Sequence, residues 1–114
     1  MFTTEKAPGE IHEQPYREWL PEEITKLSEA IRIGSKKRPQ CTGDYFVEGR
    51  SCAIGAAWEA MGLLGKRKPS FSSTGTVSAM GFTVPDDIVI EAFNMNDSGK
   101  TREQVADWLE SQGY

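Results

Sequence analysis

Residues 51–64 read Ser-Cys-Ala-Ile-Gly-Ala-Ala-Trp-Glu-Ala-Met-Gly-Leu-Leu, and this run decides the fold of the chain. It is the most apolar stretch in the sequence, and Glu59 is its only charge. A helix that is apolar on nearly every face belongs inside a protein. Ile54, Trp58, Met61 and Leu64 form one stripe at helical spacing. Ala53, Ala56, Ala57 and Ala60, with Gly55 beside them, form a small-residue face that lets another backbone approach closely. Ser51 is of a type that caps helices, and Gly62 and Gly65 offer two places to stop. Cys52 falls in the first turn, where free amides and the helix dipole stabilise a thiolate.

The flanking segments supply helices to pack around this one. Upstream, Pro21 suits the first helical position, Glu22 and Glu23 complement the dipole, and Ile24, Leu27 and Ile31 make a buried stripe. These features predict a helix over 21–33, stopped by Gly34. Tyr45-Phe46-Val47 favours a short strand or small hairpin, with Cys41 just before it as a buried filler. Residues 70–83 are rich in Ser, Thr and Gly and read as a mobile loop with a short strand around 76–79. Pro85, Asp86 and Asp87 start a further helix, with Ile88, Val89, Ala92 and Phe93 buried, ending near Met95. Residues 96–100 read as a turn. Thr101 and Gln104 form a capping box for a last helix that buries Val105, Trp108 and Leu109. The expectation is a mainly α fold, a bundle of about four helices around a central helix at about 52–64, with α+β the variant if the extended segment pairs. Residues 1–20, interrupted by Pro8, Gly9 and Pro15, are expected to form an irregular arm that docks through Tyr16, Trp19 and Leu20. Residues 21–114 are expected to form a single helical domain.

Composition narrows the class. The chain has 114 residues, 38% hydrophobic and 26% charged, as expected of one ordinary globular domain. It has neither an apolar run of membrane-span length nor a secretory h-region, and two cysteines make no disulfide framework, so a cytoplasmic location with reduced thiols is expected. The net charge of −4 is unevenly spread. Residues 32–68 carry eight basic and three acidic groups, and the segments on either side carry seven acids each. Either the acidic ends neutralise the basic centre within the fold, or a basic face awaits an anionic partner. The basic groups cluster in two triplets, Lys36-Lys37-Arg38 and Lys66-Arg67-Lys68, each after a helix and closed by proline.

Several motifs fail on spacing. Ser98-Gly99-Lys100-Thr101 resembles the tail of a phosphate-binding loop, but Asn94 stands where glycine is required, and a helix precedes it rather than a strand. A calcium loop beginning at Asn94 would need a glutamate where Val105 stands. Two cysteines and the single His12 have no zinc spacing. No cofactor and no metal site are expected.

Cys52-Ala53-Ile54-Gly55-Ala56-Ala57, with Asn96-Asp97, Gly99-Lys100-Thr101 and Val105, resembles an uncharacterised family of small bacterial and phage proteins. In that family a Cys-Ala-Leu-Gly-Ala-Leu helix start is followed later by an Asn-Asp turn and a Val-rich terminal helix. The likeness covers about residues 24–109. Met95 replaces the family's usual Trp, and Ala57 its Leu. The resemblance implies an architecture and a bacterial or phage origin, with host cytoplasm the location if phage-encoded. It implies no reaction, but it singles out the Cys52 and Asn96-Asp97 turns together. Asn96 and Asp97 would there satisfy free amides at the start of the central helix.

Three functions follow. The favoured one is a non-catalytic binding or interaction module, regulatory or inhibitory, with a protein partner met by Lys36, Lys37, Arg38, Lys66, Arg67 and Lys68 and the 70–83 loop. The second is a cysteine-dependent enzyme with Cys52 as nucleophile and Asn96 or Asp97 as polarising group. The third is weak nucleic-acid binding through the basic helix exits. Membrane association is not expected, and the sequence leaves the oligomeric state open.

Overall fold

The structure is a computed structural model that describes residue 21 and residues 23–114. The expected arm at 1–20, with its docking aromatics and His12, lies outside the described residues, as does Glu22. The fold is mainly helical. Five helices, α1 (Leu27–Gly34), α2 (Ala53–Ala60), α3 (Ser73–Ala79), α4 (Asp86–Asp97) and α5 (Arg102–Ser111), accompany a two-stranded antiparallel hairpin of β1 (Phe46–Val47) and β2 (Arg50–Ser51). The helix α2 lies at the centre and touches all four others. One apolar cluster runs through it, joining Ile54, Trp58 and Met61 to Leu27 and Ile31 of α1, Val77 of α3, Val89 of α4 and Leu109 of α5.

The hairpin follows from its turn. Phe46 pairs with Ser51 and Val47 with Arg50, leaving Glu48 and Gly49 as the loop. Both loop residues have positive φ, 49° and 78°. This is the sign pattern of the two-residue turns whose twist matches that of paired strands. A parallel bridge from Gln40 to Ser51 adds a third short piece of extended chain.

Helix ends are set by a repeated device. In α2, α3, α4 and α5 the chain leaves through a glycine of positive φ, namely Gly62, Gly81, Gly99 and Gly113. In each, the next residue's amide reaches back five residues, as Leu63 does to the Trp58 carbonyl at 3.2 Å. At the other end of α5 the expected capping box is complete: Thr101 Oγ1 accepts from the Gln104 amide at 3.0 Å and Gln104 Oε1 from the Thr101 amide at 2.9 Å.

Four local expectations are corrected. The first helix starts at Leu27, not Pro21. Ile24 is buried in the core from a non-helical segment, and the Thr25 amide donates to the Glu29 carboxylate at 3.1 Å, fixing the chain's entry. Gly34 is the last helical residue rather than a stop. Residues 70–83 contain α3 instead of a loop or strand. Its Ser, Thr and Gly are weak helix formers, but Val77, Ala79 and Met80 bury, and Thr76 Oγ1 is held by Ser72 O, Ser70 O and the Tyr45 hydroxyl, so tertiary packing overrides propensity. Last, α2 ends at Ala60, so Leu63 is the buried residue and Leu64 turns outward, 40% exposed.

Gly34 explains how α1 and α2 come so close. A Cβ at this position would overlap the carbonyl of Ala56, in the small-residue face of α2. Gly55 is similarly pressed against the Tyr45 carbonyl. Gly34→Ala is therefore expected to lower stability by about 3 kcal/mol through overpacking, although alanine is the better helix former. Urea unfolding measures this, and an unchanged midpoint would show that the two helices can separate at no cost.

Candidate functional site

The sequence pointed to the junction between the Cys52 turn and Asn96-Asp97, and the fold does bring them together. Because α4 runs to Asp97, both residues lie in its last helical turn and not in the following loop. Asn96 is completely buried. Its Oδ1 accepts from the Ala53 amide at 2.9 Å and from Gln40 Nε2 at 3.3 Å, and its Nδ2 donates to the Cys41 carbonyl at 3.0 Å. Asp97 is exposed and accepts from the Gly43 amide at 2.9 Å. Asn96 thus supplies a partner to the start of α2, while Asp97 fastens the loop ahead of the hairpin.

Cys52 is the N-cap of α2, a place expected for Ser51. Its Sγ accepts from the Gly55 amide at 3.3 Å, and its own amide donates to the Tyr45 carbonyl at 3.0 Å. The side chain has no solvent exposure. Burial pushes its thiol up to about 11, and the helix amides of Gly55 and Ile54 offset only part of that. Cys41 is also buried, and its thiol is raised by desolvation. Both thiols are therefore protonated at neutral pH, the opposite of an activated nucleophile. Ser51 Oγ serves another purpose: it accepts from Arg102.

Arg102 is the residue that sequence reasoning missed. It is buried, and its guanidinium donates to Ser51 Oγ at 2.9 Å and Ser51 O at 3.3 Å through Nη1, and to Arg38 O at 2.8 Å and Ser35 O at 3.2 Å through Nη2. Its amide donates to Gln40 Oε1 at 3.2 Å. No carboxylate pairs with it among the described residues. Burial lowers its pKa, although arginine stays charged. Three main-chain oxygens, one of them at the C-terminal end of α1 where the helix dipole is negative, stand in for a counter-ion. One signal was available: a cation in the first turn of α5 opposes that helix's own dipole, so its charge had to serve something else.

The junction has no spare capacity. Among the described residues every buried side-chain N or O has a partner. No group of three or more His, Cys, Asp or Glu residues is placed to hold a metal ion among them.

The basic triplets fare differently from each other. Arg38 is tied to Glu59 by a two-pronged ion pair, Nε to Oε1 at 2.7 Å and Nη2 to Oε2 at 3.0 Å. Lys36 and Lys37 are exposed on the turn after α1. Lys66-Arg67-Lys68 folds back along α2, where Trp58 Nε1 donates to the Arg67 carbonyl at 3.1 Å. With Phe46, Leu64 and Pro69 it lines an open groove of about 460 Å3. No residue of the first triplet lines this groove. Phe71, just beyond Pro69, is fully exposed. Part of the charge imbalance is neutralised internally, since Arg32 donates to Asp107 and Glu110 of α5 at 2.7 Å each.

Comparison with protein-family models gave no match, and searches of curated proteins and of solved structures gave none. No helix among the described residues is long and apolar enough to cross a membrane.

Two outcomes follow from this geometry. Cys52 is expected to resist iodoacetamide at neutral pH in the folded protein and to react once it is unfolded, as site-resolved mass spectrometry would show. Rapid native labelling would restore the nucleophile. Because the folded thiol titrates near 11 rather than 9, its stabilising contribution is complete below pH 9 and is lost as the pH rises through 11. Wild type should thus lose about 2–3 kcal/mol more than Cys52→Ala across that interval. Separately, Arg102→Lys is expected to cost about 2–3 kcal/mol, because an ammonium cannot span four acceptors held by three segments. An unaltered denaturation midpoint would remove Arg102 from the account.

Proposed function

We propose that this chain is a non-catalytic binding module of bacterial or phage origin, acting in the cytoplasm by occupying a protein partner. The observation that carries the reading is a division of labour. Cys52, Asn96 and Arg102, which have the chemistry of a site, are spent inside the fold on main-chain partners. Lys36, Lys37, Lys66 and Lys68, with Leu64 and Phe71, are exposed, and none of the four lysines has an ion pair among the described residues. Exposed cations together with exposed apolar groups suit recognition better than turnover. Among the described residues the nucleophile reading lacks a neighbouring base, and the buried thiol is held protonated. The nucleic-acid reading has the lysines but must work against a net charge of −4.

The test is selection of a displayed random-peptide library on the whole chain. Convergent sequences that lose binding to a K36E/K37E/K66E/K68E variant are expected. No convergence, or binders indifferent to the variant, would overturn the reading. Retention of a short single-stranded oligonucleotide in preference to any peptide would replace it with nucleic-acid binding.

A further inference from the structure

The proposal of a binding module leaves the partner's chemistry open, and the groove beside α2 narrows it. Its floor is apolar, with the half-buried Phe46 from β1 and the part-exposed Leu64 from the exit of α2. Its rim is the run Lys66-Arg67-Lys68, closed by Pro69. The segment is held in shape. The Lys66 and Arg67 amides both donate to the Leu63 carbonyl, at 2.9 and 3.1 Å, and the Arg67 carbonyl takes the Trp58 indole N–H. A recess whose walls are already fixed has little ordering cost on binding.

The charges of the groove are one-sided. The arginines that serve this fold are partnered: Arg32 meets Asp107 and Glu110, Arg38 meets Glu59, and Arg102 meets main-chain oxygens and the Ser51 hydroxyl. Lys66 and Lys68 are exposed and have no ion pair among the described residues, and residues 64–69 contain no acid. An apolar floor flanked by two exposed lysines, Lys66 and Lys68, that have no ion pair among the described residues is complementary to an acidic segment that carries one large apolar side chain. Nucleic acid fits less well. Affinity for a phosphate backbone comes from many neutralised phosphates along a tract, whereas these cations are local and the chain as a whole is acidic. The volume, about 460 Å3, is in the range of sites that take a few side chains rather than a duplex.

We infer that the groove lined by Phe46, Leu64, Lys66, Arg67, Lys68 and Pro69 is the docking site for an acidic peptide segment of a partner protein, its apolar anchor on Phe46 and Leu64 and its carboxylates on the lysines. This rests on the binding-module reading and names its surface and partner class. Phe71, two residues past Pro69, is also fully exposed.

Fluorescence anisotropy on the whole chain tests it with four labelled probes. They are a Glu-rich peptide with one central Leu, the same peptide with Ser for Leu, the Leu peptide with Gln for every Glu, and a short oligothymidylate. The first is expected to bind, and the second and third to bind at least about tenfold more weakly. Its affinity should fall with added salt. Leu64→Asp and K66E/K68E should each reduce it by about tenfold, while K36E/K37E, at residues that do not line the groove, should not. Circular dichroism keeps any misfolded variant out of the comparison, with Leu64→Ser as the milder substitute. Equal binding of the Ser and Leu peptides, tighter binding of the oligonucleotide, insensitivity to the groove variants, or no binding of the first probe would each overturn the proposal. Library-selected peptides that survive K66E/K68E but are lost on K36E/K37E would leave the binding-module reading standing and remove this groove from it.

Discussion

The first turn of α2 is buried, so its amides must find acceptors inside the protein, and this requirement organises everything around it. A helix start leaves four amides without partners in the helix. Here the Ala53 amide goes to Asn96 of α4, the Gly55 amide to the Cys52 sulfur, and the Cys52 amide to the Tyr45 carbonyl ahead of the hairpin. Each acceptor comes from a different part of the chain, and each must be placed to within a few tenths of an ångström. A sulfur cap in place of the usual hydroxyl fits a position without solvent, since an unmet hydroxyl hydrogen would there be a cost of its own.

Around this centre the polar groups form one connected set. Gln40 donates to Asn96 and to the Lys100 carbonyl and accepts from the Arg102 amide. Arg102 then gathers carbonyls from the end of α1, the following turn and β2. The apolar cluster supplies the bulk of the stabilisation. The polar set fixes which segment lies against which, because a buried donor or acceptor left unmet costs more than a misplaced methyl group.

Much of the frame was legible from spacing alone. The apolar run at 51–64 identified the central helix because no other placement buries Trp58 and Met61 together. The capping box at Thr101 and the Pro85-Asp86-Asp87 start are local, and local signals survive folding. The failures have a common cause. The late start of α1, the helix within 70–83 and the role of Gly34 all depend on contacts with distant residues: Ile24 with the core, Thr76 with Tyr45, Gly34 with Ala56. The meeting of the Cys52 turn with Asn96 was anticipated from the resemblance of two short motifs, and so was the role of Asn96 as acceptor for a free amide at the start of α2; that Asp97 serves the Gly43 amide instead was not. Whether a thiol at a helix start is a nucleophile depends on water, and water access is a property of the whole fold. The recess at residues 64–69 was visible as a basic triplet. Its apolar floor was not, because Phe46 reaches it only through the hairpin.

The order in which the chain is made gives the acceptor on Ala53 a temporal meaning. Asn96 lies 43 residues after the amide it satisfies, and Arg102 lies 51 after Ser51. A growing chain therefore emerges with its most apolar helix complete but its buried start unmet. It cannot close until the last turn of α4 and the first of α5 have left the ribosome. From its emergence until those residues follow, the central segment is an exposed apolar peptide, of the kind that chaperones shelter.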